Sequence, residues 1–347
     1  MYLISCSRRI SIVIEPIEWV RRTSPDASHQ IVLLGTNYGN SYLIDRLRNV
    51  DRSIIPWRRT NWRTKARCMS PLRTAGVYLV RHRGPFATCF APRHDALPTA
   101  HPIDRDRVMG ELIELGLAPT QPVALLAFSE LSYYSEKFRQ VGADRCSNQH
   151  DFVPAVCDLK NSGWNIVRIG SKVGPLDPLL ADAGVIDYAG SMRSEAGDVV
   201  LAELARVTIT DAAGAWWIPM IFGRRTLITN SYGIKSPLFG SPVVVVPSLY
   251  FSESFQRLLS VREMFSLPAH ATLGHPELRL RLVKVSPEEI RTAVANFVND
   301  VKPSDADQER VVKVQDTLAG LQGTSGRSLI YSFDHNYLAG HWDVFGV

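Results

Sequence analysis

The stretch VTITDAAGAWWIPMIFGRRTLITN, residues 207–230, constrains the fold of this chain more than any other. Two β-branched runs, 207–210 and 226–229, flank a small-residue turn at 211–214 and an apolar helical segment at 215–222. Strands joined through a helix cannot form a tight hairpin, so they run parallel with the helix crossing one face of their sheet. The same grammar recurs along the chain. IVLLG is followed by the amphipathic SYLIDRLRN and the short run SIIPW, and ISIVIEP precedes a helical pattern at 17–22. PVALLAF is followed by a stripe at Phe152, Val153, Val156 and Leu159 that ends at Gly163, and then by NIVRIG. A short strand at VIDYA and a helix around DVVLAELA lead back into the opening stretch. Apolar runs bounded by Gly, Pro and Asn and separated by helical periods define an α/β class with parallel sheets.

Other segments carry boundary signals. Residues 84–102 contain four prolines and no period, and read as a loop. A helix is expected from Asp104 to Gly116, and another begins at Ser286-Pro287-Glu288-Glu289, with a serine cap and a glutamate three residues on. A polar-faced helix at 305–318 and an aromatic tail with Tyr331, Phe333, Tyr337, Trp342 and Phe345 follow. At 347 residues the chain exceeds one ordinary core. Two domains are therefore expected, 1–118 and 119–347, with the tail packing back on the first. Open parallel sheets bind ligands beyond the carboxyl ends of their strands, which places a site in the cleft between the two.

The turn Asp211-Ala212-Ala213-Gly214 stands at a predicted helix start, where free amides and the helix dipole attract anions. It suits a diphosphate; the alternative is a turn kept small for close helix packing. Neighbouring strand ends are also polar. Arg168 precedes Gly170 at the end of NIVRIG; Asp187 and Tyr188 end VIDYA; Arg193 and Ser194 precede the helix carrying Asp198; Asn230 closes the last strand. Each could be a cap or a surface residue. Together with Ala213 and Gly214 they describe a nucleotide pocket.

VCDLKNSGWNIVRIG and GVIDYAGSMRSEAGDVVLAELARVTITDAAGAWWIPMIFGRRTLITN resemble the central region of a family of bacterial glycosyltransferases. Its members carry a strand ending in Arg-x-Gly, an Ile-Asp-Tyr, an Arg-Ser-acidic helix start and a small-residue turn with Gly. ISIVIEPIEWVRR, LYFSESFQRLLSVREMF and VSPEEIRTAV resemble its outer parts, so the similarity spans nearly the whole chain. Heptosyltransferases and fucosyltransferases are more distantly similar. The resemblance implies a GT-B-like α/β fold, two facing Rossmann-like domains around a central cleft. It also implies transfer of a sugar from a nucleotide-sugar donor to a glycan, lipid-linked or protein acceptor, of the kind used in cell-surface polysaccharide. The chain departs from the family at Ser129-Glu130, where an arginine precedes the acidic residue, at Arg8-Arg9-Ile10-Ser11, and at Ala212 and Ala213, where serines are usual. A catalytically inert nucleotide-sugar or carbohydrate binder is the alternative that these departures raise.

Such a transfer needs positive groups for the leaving diphosphate, here Arg168 and the Gly214 helix start, and a base for the acceptor hydroxyl. Glu130 follows PVALLAF and is the first candidate base, with Asp211 second; an ion pair to Arg139 or Arg145 is the competing role for Glu130. The nucleotide sugar is substrate, and no cofactor or metal is expected. Asp104-Arg105-Asp106 and Asp305-Ala306-Asp307 both fall at helix starts, where capping explains them, and the histidines show no metal-ligand spacing. Hydrolase, P-loop and dinucleotide motifs are missing.

The net charge is +5, concentrated around Arg58, Arg59, Arg63, Lys65 and Arg67 with Trp57 and Trp62 interleaved. This segment could meet an anionic membrane, a phosphorylated substrate or nucleic acid, or remain solvated, with RNA binding the lesser reading. Five scattered cysteines without CxxC, and no run long enough to span a bilayer, give the expectation of a cytoplasmic protein, peripheral to the inner membrane face if the basic segment docks there.

Overall fold

Aliphatic runs separated by helices pair in parallel, and the computed structural model contains two sheets built this way. It describes residues 2–5, 17, 31–34, 40–50, 54–57, 78–80, 99–134, 136, 146–211, 213–231, 243–267, 279–321 and 331–346. The segments ISIVIEP, 58–67 and 84–98, and residues Arg139, Arg145 and Ala212, lie outside the described residues.

The first sheet holds β1 (Tyr2–Ser5), β2 (Ile31–Leu34), β3 (Ile54–Trp57) and β4 (Tyr78–Val80), all parallel, in the order β3-β2-β1-β4. Helix α1 (Ser41–Val50) crosses from β2 to β3 and buries Leu43, Ile44 and Leu47. Helix α2 (Pro102–Glu114) has proline in its first turn, and Gly116, at φ 96°, turns the chain away from it. A left-handed φ of this kind is what glycine adopts without cost.

The second sheet contains β5 (Val123–Ala127), β6 (Asn165–Ile169), β7 (Ala205–Thr210), β8 (Arg225–Ser231) and β9 (Val243–Pro247). A small antiparallel sheet of β10 (Leu249–Ser252), β11 (Arg257–Leu258) and β12 (Leu280–Val283) follows, and β13 (Tyr331–Phe333) returns to the parallel one. The crossings are α3 (Val153–Asn161), α4 (Glu195–Leu204) and α5 (Trp217–Ile221), with α6 (Pro287–Val298), α7 (Asp305–Leu321) and α8 (His335–Gly340) later in the chain. Every residue of β5 and β6 is buried, as expected of strands covered on both faces.

Strand order in this sheet is β13-β9-β8-β7-β5-β6. β6 adds on one side of β5 and every later strand on the other, so the winding reverses between β5 and β7. Such a reversal leaves a crevice at the carboxyl ends, because the two connections leave the sheet in opposite directions. Here that crevice lies beside residues 128–130, Asp211, Ala213 and Gly214.

Three features differ from the sequence expectation. VIDYA makes only a single bridge, Ile186 to Val167, before a helical turn at Tyr188–Ser191 whose Gly190 amide is capped by the Asp187 side chain. The aromatic tail does not return to the first sheet. Its strand β13 pairs with the open edge of β9, and the Tyr337 hydroxyl donates to the Pro247 carbonyl at 2.7 Å, so the tail completes the second sheet. The antiparallel sheet β10–β12 had no counterpart in the sequence reading.

Close packing before α4 generates a test. A Cβ added at Gly197, in the first turn of α4, would collide with the Tyr188 hydroxyl. Helix propensity alone favours alanine over glycine by about 1 kcal/mol, yet overpacking of a filled site costs roughly 1–3 kcal/mol. Gly197→Ala is therefore expected to lower stability in urea titration; an increase would show that Tyr188 is free to move.

Candidate functional site

The residue that organises the crevice is Asp211, the first position beyond β7. Its side chain is buried, and its two oxygens are both taken by backbone amides: Oδ1 accepts from Ser129 N at 2.7 Å and Oδ2 from Ser147 N at 2.9 Å. Ser129 belongs to the loop leaving β5. Burial pushes the Asp211 carboxyl upward in pKa while the two amides pull it down. A carboxylate committed to two amides inside the protein joins loops, and this is the position the structure gives to the second candidate base.

Asn230, near the end of β8, grips the same segment from the other side. Its Nδ2 donates to Ser147 Oγ at 3.0 Å, and its Oδ1 accepts from Val285 N at 2.8 Å and Ser248 Oγ at 3.3 Å. Its φ is 50°, a left-handed conformation that asparagine enters at lower cost than most residues. Ser147 is thus held through its amide by Asp211 and through its hydroxyl by Asn230. Nothing in the local sequence marks Ser147, because its partners lie more than sixty residues away.

Between these anchors the turn after β7 stays open. Ala213 is buried and its amide donates to Thr210 Oγ1 at 3.2 Å. Gly214 is exposed and starts a 3-10 turn, Gly214–Trp216, that runs into α5; a Cβ on Gly214 would meet no heavy atom within 4 Å. The α-helical part spans only Trp217–Ile221, so any attraction for an anion here comes mainly from individual amides rather than from a long helix dipole.

Arg168 lies differently from the expected open cation. Its side chain is fully buried on β6, with Nη2 donating to Glu130 Oε1 at 2.5 Å and to the Gly174 carbonyl at 2.9 Å. Nη1 donates to Asp187 Oδ1 and Oδ2 at 3.3 and 3.4 Å, while Nε has no partner. A desolvated guanidinium needs this compensation. Glu130 also accepts from Gly174 N at 3.1 Å and Gln149 Nε2 at 3.2 Å, and its side chain keeps 14% exposure. The structure thus joins Glu130, Arg168 and Asp187 in one cluster beside the crevice. Gly170 makes the turn above it at φ 148°, where a Cβ would press on Val173 at 2.9 Å.

The remaining predicted residues gather at the start of α4, where the two halves of the chain meet. Ser194 caps α4 by accepting from Gly197 N at 3.0 Å, and the Tyr188 hydroxyl accepts from Ser194 N and donates to Ser194 O. Arg193 Nη2 donates to Asp198 Oδ2 at 2.6 Å, and Asn40 Nδ2 donates to the same oxygen at 3.3 Å and to Glu195 O at 3.1 Å. Glu195 Oε2 accepts from Ser41 N, Ser41 Oγ and Tyr42 N, at 3.0, 2.5 and 3.2 Å, and so caps α1 from the other half of the chain. Asp198 and Glu195 therefore bond across to the first half of the chain, while Tyr188, Arg193 and Ser194 shape the start of α4 that carries them. Asn40 also caps α1, its Oδ1 accepting from Leu43 N at 2.8 Å; neither its role nor that of Glu195 figures in the sequence expectation.

Burial raises the Asp198 carboxyl to about 7, against the pull of Arg193 and Asn40, and burial raises Tyr188 to about 12. The Glu289 carboxyl is instead held at about 2, first by its bond to His341, which it meets at 2.6 Å.

Two outcomes follow. Asn230→Ala loses three hydrogen bonds, worth about 1 kcal/mol each, and strains a left-handed φ by roughly 1 kcal/mol; Asn230→Gly loses the bonds without the strain. Denaturant titration should place alanine below glycine and both below wild type; equal stability of the two variants would contradict the strain. For Asp198, a folded pKa near 7 against an ordinary 3.8 means that folding takes up a proton between those values. The stability contributed by this group is complete below about pH 4 and falls as pH rises to about 7, by about 4 kcal/mol at most. Wild type should therefore lose stability relative to Asp198→Asn across that window, and a flat difference would refute the shift.

No protein-family model matches the chain, and no curated protein sequence matches it. Solved structures do show likeness in chain path. The chain is similar to the ADP-heptose lipopolysaccharide heptosyltransferase II of E. coli at 10% identity and TM-score 0.44, covering 80% of this chain and 97% of that one. It is similar to a glycosyl transferase family 9 protein from Veillonella parvula at 10% identity and TM-score 0.48, covering 86% and 96%. A third is the E. coli heptosyltransferase WaaC with ADP-2-deoxy-2-fluoro heptose, at 10% identity and TM-score 0.37, covering 80% and 99%. Likeness at this level carries no argument about chemistry, which has to come from the crevice itself.

Proposed function

We propose that this chain is a glycosyltransferase that moves a sugar from a nucleotide-sugar donor to a hydroxyl of a glycan or lipid-linked acceptor. The observation that carries the reading is the open Gly214 turn at the point where strand order reverses. The amides of Gly214 and Ala215 would seat the diphosphate as it leaves with the electron pair of the broken glycosidic bond. The acceptor oxygen would form the new bond at the anomeric carbon and pass its proton to Glu130. Arg168 and Asp187 act one step back, holding the Glu130 carboxylate beside the crevice. In this reading the nucleotide sugar is substrate, no metal or cofactor takes part, and the enzyme works on the cytoplasmic side of a membrane that carries its acceptor.

A second reading, an inert nucleotide-sugar binder, is favoured by how fully the charged groups at the crevice are already engaged. Arg168 is compensated by two carboxylates, Asp211 is committed to two amides, and Glu130 is engaged by three donors. The RNA-binding reading rests on segment 58–67, outside the described residues.

Melting curves with ADP, UDP and GDP separate these readings. One nucleotide at about a hundredfold its Kd should stabilise wild type by roughly 2.7 kcal/mol. Gly214→Asp, with open space for its side chain, should keep the unliganded melting temperature and abolish the shift. Absence of any nucleotide effect sinks both sugar readings. Glu130→Gln should retain the shift and lose at least roughly 10²-fold in transfer rate; binding without turnover in wild type supports the inert binder.

A further inference from the structure

Between β6 and the helix Pro178–Asp182 the chain passes beside Glu130, and side chains alone hold it there. Among the described residues, no backbone group of 171–176 bonds to another backbone group. Ser132 Oγ donates to the Lys172 carbonyl at 2.7 Å. Arg168 Nη2 donates to the Gly174 carbonyl at 2.9 Å, and the Gly174 amide donates to Glu130 Oε2 at 3.1 Å. Gln149 ties the far end: its Nε2 donates to the Pro175 carbonyl at 3.4 Å and its Oε1 accepts from Asp177 N at 2.9 Å. The same Nε2 reaches Glu130 Oε1 at 3.2 Å, so three of the four side chains form one hydrogen-bonded group.

Both ends of the connection suit a hinge. Gly170 turns at φ 148°, and Lys172 sits at φ 56°, a left-handed conformation that costs free energy in a residue other than glycine. At the other end the Asp177 side chain caps the next helix by accepting from Leu179 N at 2.9 Å, so that helix keeps its own start whatever the connection does. Segments without a backbone ladder open locally at lower free energy than the sheet they lean on.

We propose that residues 171–177 form a strap that opens as one unit, and that in the closed position its Gly174 amide withholds Glu130 Oε2 from an acceptor hydroxyl. Of the groups bonded to Glu130, Arg168 is fully buried on β6 and cannot withdraw without the sheet, whereas Gly174 lies on the strap. The ties release together because Arg168, Gln149 and Gly174 all converge on one carboxylate, and members of such a network support one another. The withholding rests on the transferase reading, in which Glu130 is the base; the opening does not.

Residue-resolved amide exchange by NMR on the full chain tests the strap. Ser132→Ala removes the tie at Lys172, which involves neither the Gly174 nor the Asp177 amide. Both amides should nevertheless exchange roughly fivefold faster, the equivalent of one hydrogen bond, while Leu125 on β5 is unchanged. Gln149→Ala should accelerate the Gly174 amide by at least the same factor, although it does not bond that amide. A response at Gly174 without Asp177, no response at either, or equal acceleration at Leu125 overturns the strap. Turnover tests the withholding. Because the open fraction scales the rate, Ser132→Ala should raise kcat by up to roughly fivefold, and an unchanged or lower kcat sinks the inhibitory role. A wild type without turnover sinks the transferase reading alone, and the exchange result still decides the strap.

Discussion

The arrangement depends on a buried carboxylate placed where a sheet changes direction. Between β5 and β7 the connections diverge, and loops that leave a sheet in opposite directions have no shared backbone ladder to hold them. Asp211 supplies the missing tie by accepting the amides of Ser129 and Ser147. A buried amide without a partner costs free energy, so this carboxylate satisfies two such groups and fixes the crevice wall together. Asn230 repeats the device from β8, accepting a left-handed backbone to reach Ser147, Ser248 and Val285.

Charge inside the fold is handled by pairing. Arg168 is buried and compensated by Glu130 and Asp187, so the protein stabilises its own cation before any ligand arrives. At the joint between halves, Glu195 caps α1 while Asn40 and Arg193 share Asp198. Two helix starts thus face each other through carboxylates, beside an apolar cluster that is continuous through both halves.

The sequence announced much of this at the level of elements. The run after Asn40, the stripe ending at Gly163 and the Ser286 capping box all became helices close to where their residues placed them, because caps and apolar periods act within one or two turns. Residues at the strand ends were legible as polar positions. Their partners were not. Arg168 looked like an open cation because its position at a strand end says nothing about which neighbour closes over it. Tyr188, Arg193, Ser194 and Asp198 looked like a nucleotide pocket; in the fold Tyr188 bonds Ser194, Arg193 bonds Asp198, and Asp198 also takes a bond from Asn40 before α1.

By itself, the sequence determined the parallel α/β class, the principal helices with their caps, and the small open turn at Gly214. Local hydrogen bonding and apolar periodicity are enough for these, since each involves residues a few positions apart. Only the tertiary structure decided the strand order that creates the crevice, the pairing of the tail with β9, the neutralisation of Arg168 and the cap that Glu195 sets on a helix far away in sequence. Those depend on which groups lose water together, and burial is a property of the assembled chain rather than of any one segment.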